Sequence, residues 1–444
     1  MYEDLKKDPL SHVKKLAEFV GAPFSPQEES EGVIQDIIQL CSIKNLKELE
    51  VNERGVFNKY YDKKSYFRKG EIGDGVNHLA PNMVERMNKL VQEKLEGTVH
   101  SLAMETNQEE EIVVQEEEVE QLIESLEKVS IKSTGKFQLV NYQEFFYPAT
   151  TDLVKNVLMF QRHFHARDTD LIIASHPKTG TTWLKSLLFA TVNRFKHPKN
   201  ESPLLKHHPH ELVYRLENDV YGEAFEYPRP QHLNELPSPR LFSTHMPYNS
   251  LPGSILSSGC RILYISRNPL DTLVSLYYFA LDAMKNMLHE EELINFNFED
   301  FFEDFYNGRI VHGPFFEHVV GYWKASLEHP IKLLFLKYED LKKDPVSHVK
   351  KLAEFVGAPF SPQEESEGVI QDIIQLCSIK NLKELEVNKR GVFNKYYDKK
   401  SYFRKGEIGD GVNHLAPNMM ERMNKLMQEK LEGTGLSFEY ISQS

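Results

Sequence analysis

The fold is decided by the stretch Leu171-Ile172-Ile173-Ala174-Ser175-His176-Pro177-Lys178-Thr179-Gly180-Thr181-Thr182-Trp183-Leu184-Lys185. Its first four residues are apolar and include two β-branched side chains, which is typical of a strand buried on both faces. Lys178 to Thr182 predicts a tight turn centred on Gly180, and the apolar spacing from Trp183 onward predicts a helix. A strand, a glycine turn and a helix together aim backbone N–H groups at an anion.

Side chains of this turn add to the same predicted anion site. Lys178 contributes a point charge, and Thr181 and Thr182 contribute hydroxyl donors. The lysine precedes the glycine and the loop is shorter than G-x-x-x-x-G-K-[ST], so the pattern differs from the standard phosphate loop. Taken alone, the stretch fits an ordinary βα turn of an α/β domain equally well.

Two later stretches supply further cations. The run Arg261–Ser266 predicts a second strand that leads into Arg267, and Pro269 suits the first turn of a following helix. Phe403 to Asp410 is a basic loop interrupted by glycines. The cations near strand ends or glycine turns suit a ligand with more than one phosphate group; they are Lys178, Arg267, Arg404 and Lys405.

The order of these elements predicts the fold class. Strand-like runs alternate with helical spacing, and the candidate ligand loops follow strand ends. This arrangement predicts an α/β fold whose central parallel sheet carries helices on both faces.

Three motifs occur in a fixed order, namely Pro177-Lys178-Thr179-Gly180-Thr181-Thr182-Trp183, Arg267-Asn268-Pro269-x-Asp271-x-x-x-Ser275 and Arg404-Lys405-Gly406-x-x-Gly409-Asp410. The ordered set resembles the soluble sulfotransferases, which use 3′-phosphoadenosine 5′-phosphosulfate (PAPS). Ser175 to Lys185 resembles the plant branch that acts on flavonols, hydroxyjasmonate or steroids. The resemblance covers about residues 104–444, and it implies a P-loop nucleoside triphosphate hydrolase-like (sulfotransferase) fold.

The resemblance also implies a role for His245. A histidine after an apolar strand end is by default structural, but Ser243-Thr244-His245-x-Pro247 matches the family's catalytic-base segment. A histidine titrating near neutrality suits removal of a hydroxyl proton. Lys178 and the turn N–H groups would neutralise the charge that grows on the departing nucleotide.

The remaining site residues implied by the resemblance bind the cofactor. Trp183 would stack on adenine, while Arg267, Ser275 and the loop at Arg404 would hold the 3′-phosphate. Tyr338 matches a nucleotide-contact tyrosine, although core packing explains it equally well. The full set of predicted cofactor-binding residues is Lys178, Thr179, Gly180, Thr181, Thr182, Trp183, Arg267, Ser275, Tyr338, Arg404, Lys405 and Gly406.

No metal is required by this scheme. His207, His208 and His210 have near-metal spacing without a strong partner cluster, so we expect a solvated loop there.

Two alternative functions remain open. One is a catalytically inactive relative that binds PAPS or another nucleotide. The other is a P-loop nucleotide kinase, for which the standard loop and an acidic magnesium partner are missing.

The chain departs from the family pattern at several positions. Ser243 stands where many animal members carry a lysine, and Ile379 replaces a phenylalanine common near the adenine. Gly411 replaces the tryptophan of Gly-Asp-Trp, which predicts a looser pocket edge. The animal dimer motif is reduced to Glu421, so we expect a monomer or a weak dimer.

Composition limits the partners. The 444-residue chain has 40% hydrophobic and 27% charged residues and a formal net charge of −13, which argues against nucleic acid. No apolar run reaches the ~18 residues of a membrane span, and the polar start shows no secretory signal. Cys41, Cys260 and Cys377 form no disulfide framework, which favours reduced thiols in the cytoplasm. The expected partner is a small hydroxylated acceptor molecule.

An internal duplication sets the domain organisation. Residues 2–98 repeat 338–434 at an offset of 338 − 2 = 336, with four differences: Leu10/Val346, Glu53/Lys389, Val84/Met420 and Val91/Met427. This near identity indicates a recent duplication or a joined gene model, and Met104 resembles an ordinary start of a plant sulfotransferase. We therefore expect a duplicated, loosely attached or partly disordered C-terminal fragment at 1–103, an acidic arm at 104–135 and a sulfotransferase domain at 136–444.

Overall fold

The computed structural model describes residues 8–19, 23–49, 121–122, 124–135, 137–149, 151–222, 228–287, 296–394 and 397–439, together with Lys6 and the short strands 56–58 and 61–62. Contacts divide the chain into two compact units, Met1–Met104 and Glu105–Ser444. Two sequence features lie outside the described residues, namely the Arg68-Lys69-Gly70 loop and the triple-glutamate runs at 109–111 and 116–118.

A five-stranded sheet organises the larger unit. Its strands are β1 (Leu171–Ala174), β2 (Tyr214–Arg215), β3 (Leu241–Thr244), β4 (Arg261–Ser266) and β5 (Leu333–Lys337). Their spatial order is β5-β4-β1-β3-β2, and every neighbouring pair is parallel. The predicted parallel sheet is thus confirmed. The carboxyl ends of all five strands meet at one edge, which is where open α/β sheets bind ligands.

Both faces of the sheet are buried, as the apolar strand sequences predicted. Ile172 and Tyr264 enter one core, which the helix Thr151–His163 and α3 (Phe315–Glu328) cover. Ile173 and Leu263 enter the other core, covered by α1 (Thr181–Asn193) and the helices after β5. Helices therefore lie on both faces of the sheet, because alternate side chains of each strand point to opposite sides.

The remaining elements surround this frame. A small antiparallel sheet is formed by Lys128–Ser130, Gln138–Tyr142 and Phe145–Pro148. Helix α2 (Pro269–Met287) follows β4 and packs on the helix Phe298–Tyr306. The segments after β5 are Tyr338–Lys343, Pro345–Phe355, Pro362–Ser366, Val369–Leu376, Ile379–Glu384, Glu386–Lys389, the strands Val392–Asn394 and Tyr397–Asp398, and Pro417–Leu431. Among the described residues, no helix is both long and apolar enough to cross a membrane.

The N-terminal unit repeats the local structure of its C-terminal twin. Its helices are Pro9–Phe19, Pro26–Ser30, Val33–Leu40 and Ile43–Glu48, and its strands are Val56–Asn58 and Tyr61–Asp62. Each coincides with a C-terminal element at the offset of 336 residues, as comparison of the two sets of bounds shows. Ser25 and Ser361 even form the same capping box. In the segments that the structure describes, the nearly identical sequences therefore form the same helices and strands in both copies.

Candidate active site

The turn after β1 has the strained geometry that its sequence requires. Lys178 has φ 68° and Gly180 has φ 118°, and Gly180 is the N-cap of α1, which begins at Thr181. A Cβ atom on Gly180 would lie 2.8 Å from Cδ2 of Tyr338, so this position requires glycine for both space and conformation. The first N–H groups of α1 are thereby placed at the carboxyl edge of the sheet.

The threonine hydroxyls of the turn have protein partners. Thr179 lies within donor distance of the carbonyls of His176 and Ile265, at 2.8 and 2.9 Å, and so ties the turn to β4. Thr181 Oγ1 lies 2.7 Å from Ser175 Oγ. Thr182 Oγ1 lies 3.0 Å from Nε2 of His210. The hydroxyls predicted as ligand donors thus also hold the turn in place.

Lys178 is enclosed and surrounded by other cations. Its Nζ lies 4.0 Å from the centroid of the Phe279 ring and 3.3 Å from the carbonyl oxygen of Ser401. Burial, with the charges of Arg404 and Arg267, lowers the pKa of Lys178 to about 7. An anionic ligand would reverse this shift, because a nearby negative charge favours the protonated amine.

Arg267 is held at the end of β4 by backbone and carboxylate partners. It is buried, and its Nη2 donates to Asp271 Oδ2 at 3.2 Å and to the carbonyl of Glu407. Asp271 also accepts the N–H groups of Gly409 and Gly411, at 2.9 and 2.7 Å. The first turn of α2 therefore joins Arg267 to the basic loop, about 140 residues later in the chain.

Asp410 organises the cations of that loop. Arg404 Nη1 and Lys405 Nζ each donate to one of its carboxylate oxygens at 2.6 Å. Although burial opposes the charged form, these hydrogen bonds from Lys405 and Arg404 hold the pKa of Asp410 well below its usual range. The Nε atoms of Arg404 and Arg267 are buried without a hydrogen-bond partner. Such unused donors fit a phosphate group, which offers several acceptor oxygens.

Tyr338 joins the two halves of the cation cluster. It is buried at the end of β5, and its hydroxyl donates to the carbonyl of Gly406 at 2.8 Å. Its ring lies under the guanidinium of Arg267 at 4.7 Å and packs edge-on against Trp183 at 5.3 Å. Of the predicted cofactor residues, Trp183 and Ser275 are also buried.

The loop glycines make close contacts with their surroundings. Gly406 has φ 67°, and a Cβ there would lie 2.1 Å from Cδ1 of Ile379. A Cβ on Gly411 would approach the backbone carbon of Leu270 to 2.8 Å. The backbone at Gly411 therefore packs directly against α2, while the looser pocket edge expected from the missing tryptophan stays a prediction.

His245 follows β3 and is buried. Its Nδ1 lies 2.7 Å from the carbonyl oxygen of Ser175, so Nδ1 carries the proton and Nε2 is the acceptor nitrogen. Its backbone N–H donates to Glu217 Oε1 at 2.8 Å. Burial first, and then the charge of Arg215, lower the pKa of His245 well below its ordinary value. The imidazole is thus neutral, in place of the titration near neutrality expected from the sequence, and Nε2 carries no proton.

Side chains from α3 and β4 fix the backbone at His245. Nε2 of His318 donates to the carbonyl of His245 at 3.0 Å, while the Tyr264 hydroxyl lies 2.9 Å from Nδ1 of His318. The Tyr322 hydroxyl donates to the carbonyl of Met246 at 2.7 Å. Sequence analysis missed these supports, since they come from elements distant in the chain.

The histidines at 207–210 correct one expectation. His208 and His210 are buried rather than solvated. The rings of Phe393 and Tyr402 pack against both of them, and Nζ of Lys185 lies 3.0 Å from Nδ1 of His210. Aromatic residues from a distant segment thus enclose this loop. Among the described residues, no cluster of three or more His, Cys, Asp or Glu side chains could hold a metal ion.

Comparison with known proteins agrees with this geometry. The sulfotransferase domain family matches residues 1–99 and 168–435. Cytosolic sulfotransferase 5 of Arabidopsis thaliana is 44% identical over 72% of this chain and 97% of its own length. A flavonol sulfotransferase-like protein of Flaveria bidentis is 47% identical over 68% of this chain and 93% of its own.

Among solved structures, the chain is similar to a putative steroid sulphotransferase of Arabidopsis thaliana. The two share 33% sequence identity with a TM-score of 0.55, and the match covers 72% of this chain and 94% of the other. The family model, the two sequence relatives and this solved structure therefore all indicate the same family.

Proposed function

The chain belongs to the sulfotransferase family and is a PAPS-dependent sulfotransferase, and from that premise we propose that His245 is its general base and that its acceptor is a small molecule of flavonoid, jasmonate or steroid type. The observation that carries the proposal is the tautomer of His245. Nδ1 donates to the Ser175 carbonyl, which leaves the unprotonated Nε2 of a neutral imidazole to accept the proton, on a residue that follows β3 at the carboxyl edge of the sheet.

The two proposed catalytic residues follow neighbouring strands of the sheet. His245, after β3, removes the proton of the acceptor hydroxyl and so makes the oxygen a competent nucleophile. Lys178, after the adjacent strand β1, and the N–H groups at the start of α1 stabilise the charge that develops on the leaving phosphate. PAPS supplies the sulfuryl group that is transferred. Proton removal requires only Nε2 of His245, because Nδ1 donates to the backbone carbonyl of Ser175.

The 3′-phosphate is assigned to the cations after β4 and in the basic loop. Arg267 and Arg404 keep unused buried Nε donors, and Asp271 fixes the distance between their elements through Gly409 and Gly411. Lys405 adds charge from the same loop. Ser275, on α2, belongs to the same proposed 3′-phosphate group. Trp183 and Tyr338 belong to the proposed adenosine side of the site, next to the turn at Gly180.

The proposal extends to the organisation of the chain. Residues 136–444 would carry the activity, 104–135 would form an acidic arm, and 1–103 would be an appendage without a site of its own. We also place the enzyme in the cytoplasm as a monomer or weak dimer. The similarity to proteins named cytosolic sulfotransferases supports that location.

A transfer assay tests the proposal. Full-length protein is incubated with PAPS carrying a radiolabelled sulfuryl group and a panel of flavonols, hydroxylated jasmonates, sterols and simple phenols, with His245→Ala as the control variant. We expect labelled product with at least one class and none with the variant. A thermal shift with 3′,5′-ADP but not ATP should accompany it. A shift with ATP alone, or labelled product at equal rates with His245→Ala, would refute the proposal.

A further inference from the structure

Lys185 and His210 are buried ionisable residues that the proposed mechanism does not use. Lys185 lies on α1 and is 1% exposed, and His210 is 6% exposed. Nζ of Lys185 lies 3.0 Å from Nδ1 of His210, and Nε2 of His210 lies 3.0 Å from Oγ1 of Thr182. These three side chains form a hydrogen-bond relay that ends in the first turn of α1, where the proposed function places the leaving phosphate.

The chemistry of the relay fixes the tautomer of His210. A charged lysine amine can only donate, and one N–H of Lys185 is directed to the carbonyl oxygen of Val213 at 2.8 Å. Nδ1 of His210 must therefore accept when Lys185 is charged. Burial first, and then the charge of Lys185, lower the pKa of His210 well below its ordinary value. The ring is thus neutral and carries its single proton on Nε2.

The Nε2 proton of His210 determines what the Thr182 hydroxyl can do. Because Nε2 donates, Oγ1 of Thr182 accepts, and the hydroxyl hydrogen stays available for a second acceptor. No other hydrogen-bond partner of Oγ1 lies among the residues that the structure describes. Thr182 is the second residue of α1 and is partly exposed. Its hydroxyl therefore belongs to the helix end whose backbone N–H groups favour an anion.

The other threonine hydroxyls of the turn have different partners. The hydroxyl of Thr179 lies within hydrogen-bond distance of two backbone carbonyls, at 2.8 and 2.9 Å. Both carbonyls are acceptors, so its one hydrogen is used within the protein. Thr181 lies 2.7 Å from the Ser175 hydroxyl, and either oxygen can be the donor. Of the three threonines, Thr182 is the one whose partner is a donor nitrogen.

The surroundings of His210 hold its ring in place. The ring of Tyr402 packs on it with a centroid distance of 4.6 Å, and that of Phe393 lies edge-on at 5.5 Å. Its backbone N–H donates to Nδ1 of His208 at 3.2 Å. In such an enclosed site hydrogen bonds are stronger than in water, and the loss of one partner leaves the other unsatisfied. The relay is therefore a rigid support of the Thr182 hydroxyl.

We propose that Lys185 and His210 are positioning residues, which act through Thr182 by directing its hydroxyl hydrogen at a phosphate oxygen of the bound nucleotide. This inference rests on the proposed function, because it takes the start of α1 as the site of the leaving phosphate. It depends on one tautomer of His210, with the proton on Nε2.

NMR measures this tautomer without any ligand. Full-length protein with ¹⁵N-labelled histidine is studied at pH 6, where Lys185 is mostly charged because burial lowers its pKa only to about 7. Protonated and unprotonated nitrogens of a neutral imidazole differ clearly in ¹⁵N shift, and the His210 signals are identified by their loss in His210→Gln. We expect a proton on Nε2 and none on Nδ1. The Nδ1–H tautomer should appear in Lys185→Met but not in Lys206→Met, at an exposed lysine.

The affinity for 3′,5′-ADP, measured by calorimetry, tests the action through Thr182. Thr182→Val removes the hydroxyl and should weaken binding roughly 10- to 100-fold, as expected for a hydrogen bond to a charged group. His210→Phe keeps an aromatic ring without a donor and should weaken binding roughly three- to tenfold. His210→Gln has an amide that can accept from Lys185 and donate to Thr182, so it should stay within twofold of the parent. The control His207→Gln, at an exposed histidine, should do the same.

A double variant distinguishes the relay from a general effect on folding. In the Thr182→Val background, His210→Phe should change the affinity less than twofold, because the group through which it acts is gone. His210→Asn, whose amide takes only the place of Nδ1, replaces His210→Phe in this cycle where thermal unfolding shows that the phenylalanine variant does not fold.

Three results would overturn the inference. They are a proton on Nδ1 of His210 in the unaltered protein, an unchanged tautomer in Lys185→Met, and equal losses of 3′,5′-ADP affinity from His210→Phe with and without the Thr182 hydroxyl. The proposed function fails separately, by the absence of sulfuryl transfer with every acceptor, since none of these measurements needs turnover.

Discussion

The low pKa of Lys178 predicts that cofactor binding takes up a proton. In the free protein, burial and the charges of Arg404 and Arg267 bring this pKa to about 7. Phosphate oxygens beside the amine favour its charged form and raise the pKa in the complex. The bound state therefore holds more protons than the free state at pH values between the pKa of the free protein and that of the complex. The affinity for the cofactor is highest below the pKa of Lys178 in the free protein and declines as the pH rises past that value.

The magnitude follows from the titration of one group. At pH 7 about half of the free Lys178 side chains are protonated, and at pH 8 about one in ten, so the dissociation constant should rise about fivefold from pH 7 to 8. Above pH 8 it should rise about tenfold per pH unit until the pKa of the complex is reached. Binding should take up about half a proton at pH 7 and close to one at pH 8. Tyr338, whose pKa is raised to about 12, does not titrate in this window.

Calorimetry with 3′,5′-ADP measures both quantities. Titrations at pH 7, 8 and 9 give the dissociation constant, and buffers with different ionisation enthalpies give the number of protons taken up. Lys178→Met should bind more weakly at pH 7 and lose the pH dependence, whereas Lys425→Met, at an exposed lysine, should retain it. A constant affinity from pH 7 to 9 without proton uptake would show that Lys178 does not approach the phosphates.

Four further substitutions and one deletion address the other groups. His245→Ala should abolish sulfuryl transfer and leave 3′,5′-ADP affinity within twofold, measured by radiolabel assay and calorimetry; residual turnover near that of the parent would remove His245 as the base. Arg267→Ala should cost roughly 1.5–3 kcal/mol of 3′,5′-ADP binding, and an unchanged dissociation constant would place the 3′-phosphate elsewhere. Arg404→Ala should weaken 3′,5′-ADP binding to a similar extent, whereas Arg68→Ala should leave that affinity unchanged. Deleting residues 1–103 should not lower the activity per mole of enzyme. Two equivalents of 3′,5′-ADP bound by the full chain would contradict both expectations about the N-terminal copy.

The frame of the site could be predicted because its signals are local. The apolar run before Ser175, the glycine at 180 and Pro269 at the first turn of α2 each specify structure within a few residues. Strands β1 and β4 and their following helices lie where these signals put them. Parallel pairing then follows from the alternation of strands and helices, so the edge that carries Lys178, His245 and Arg267 could be located from the sequence.

The contacts within the site could not be predicted in the same way. Asp271 meets Gly409 and Gly411 across about 140 residues, and no local pattern indicates that pairing. The same reason explains the error at His208 and His210. A polar segment next to a proline predicts exposure, yet Tyr402 folds over it from a distant loop. Whether a side chain is buried depends on which distant segments pack against it, and local sequence patterns carry no information on that packing.

The duplicated segment distinguishes structure that local sequence determines from burial that tertiary packing determines. Leu352 is 0% exposed and Leu376 is 5% exposed, whereas their twins Leu16 and Leu40 are 59% and 62% exposed. The helices are the same in both copies because caps and apolar spacing are local properties. Burying a leucine stabilises by roughly 1.5–3 kcal/mol, and only the C-terminal copy follows β5 directly, so that its docking closes a short loop at small entropic cost.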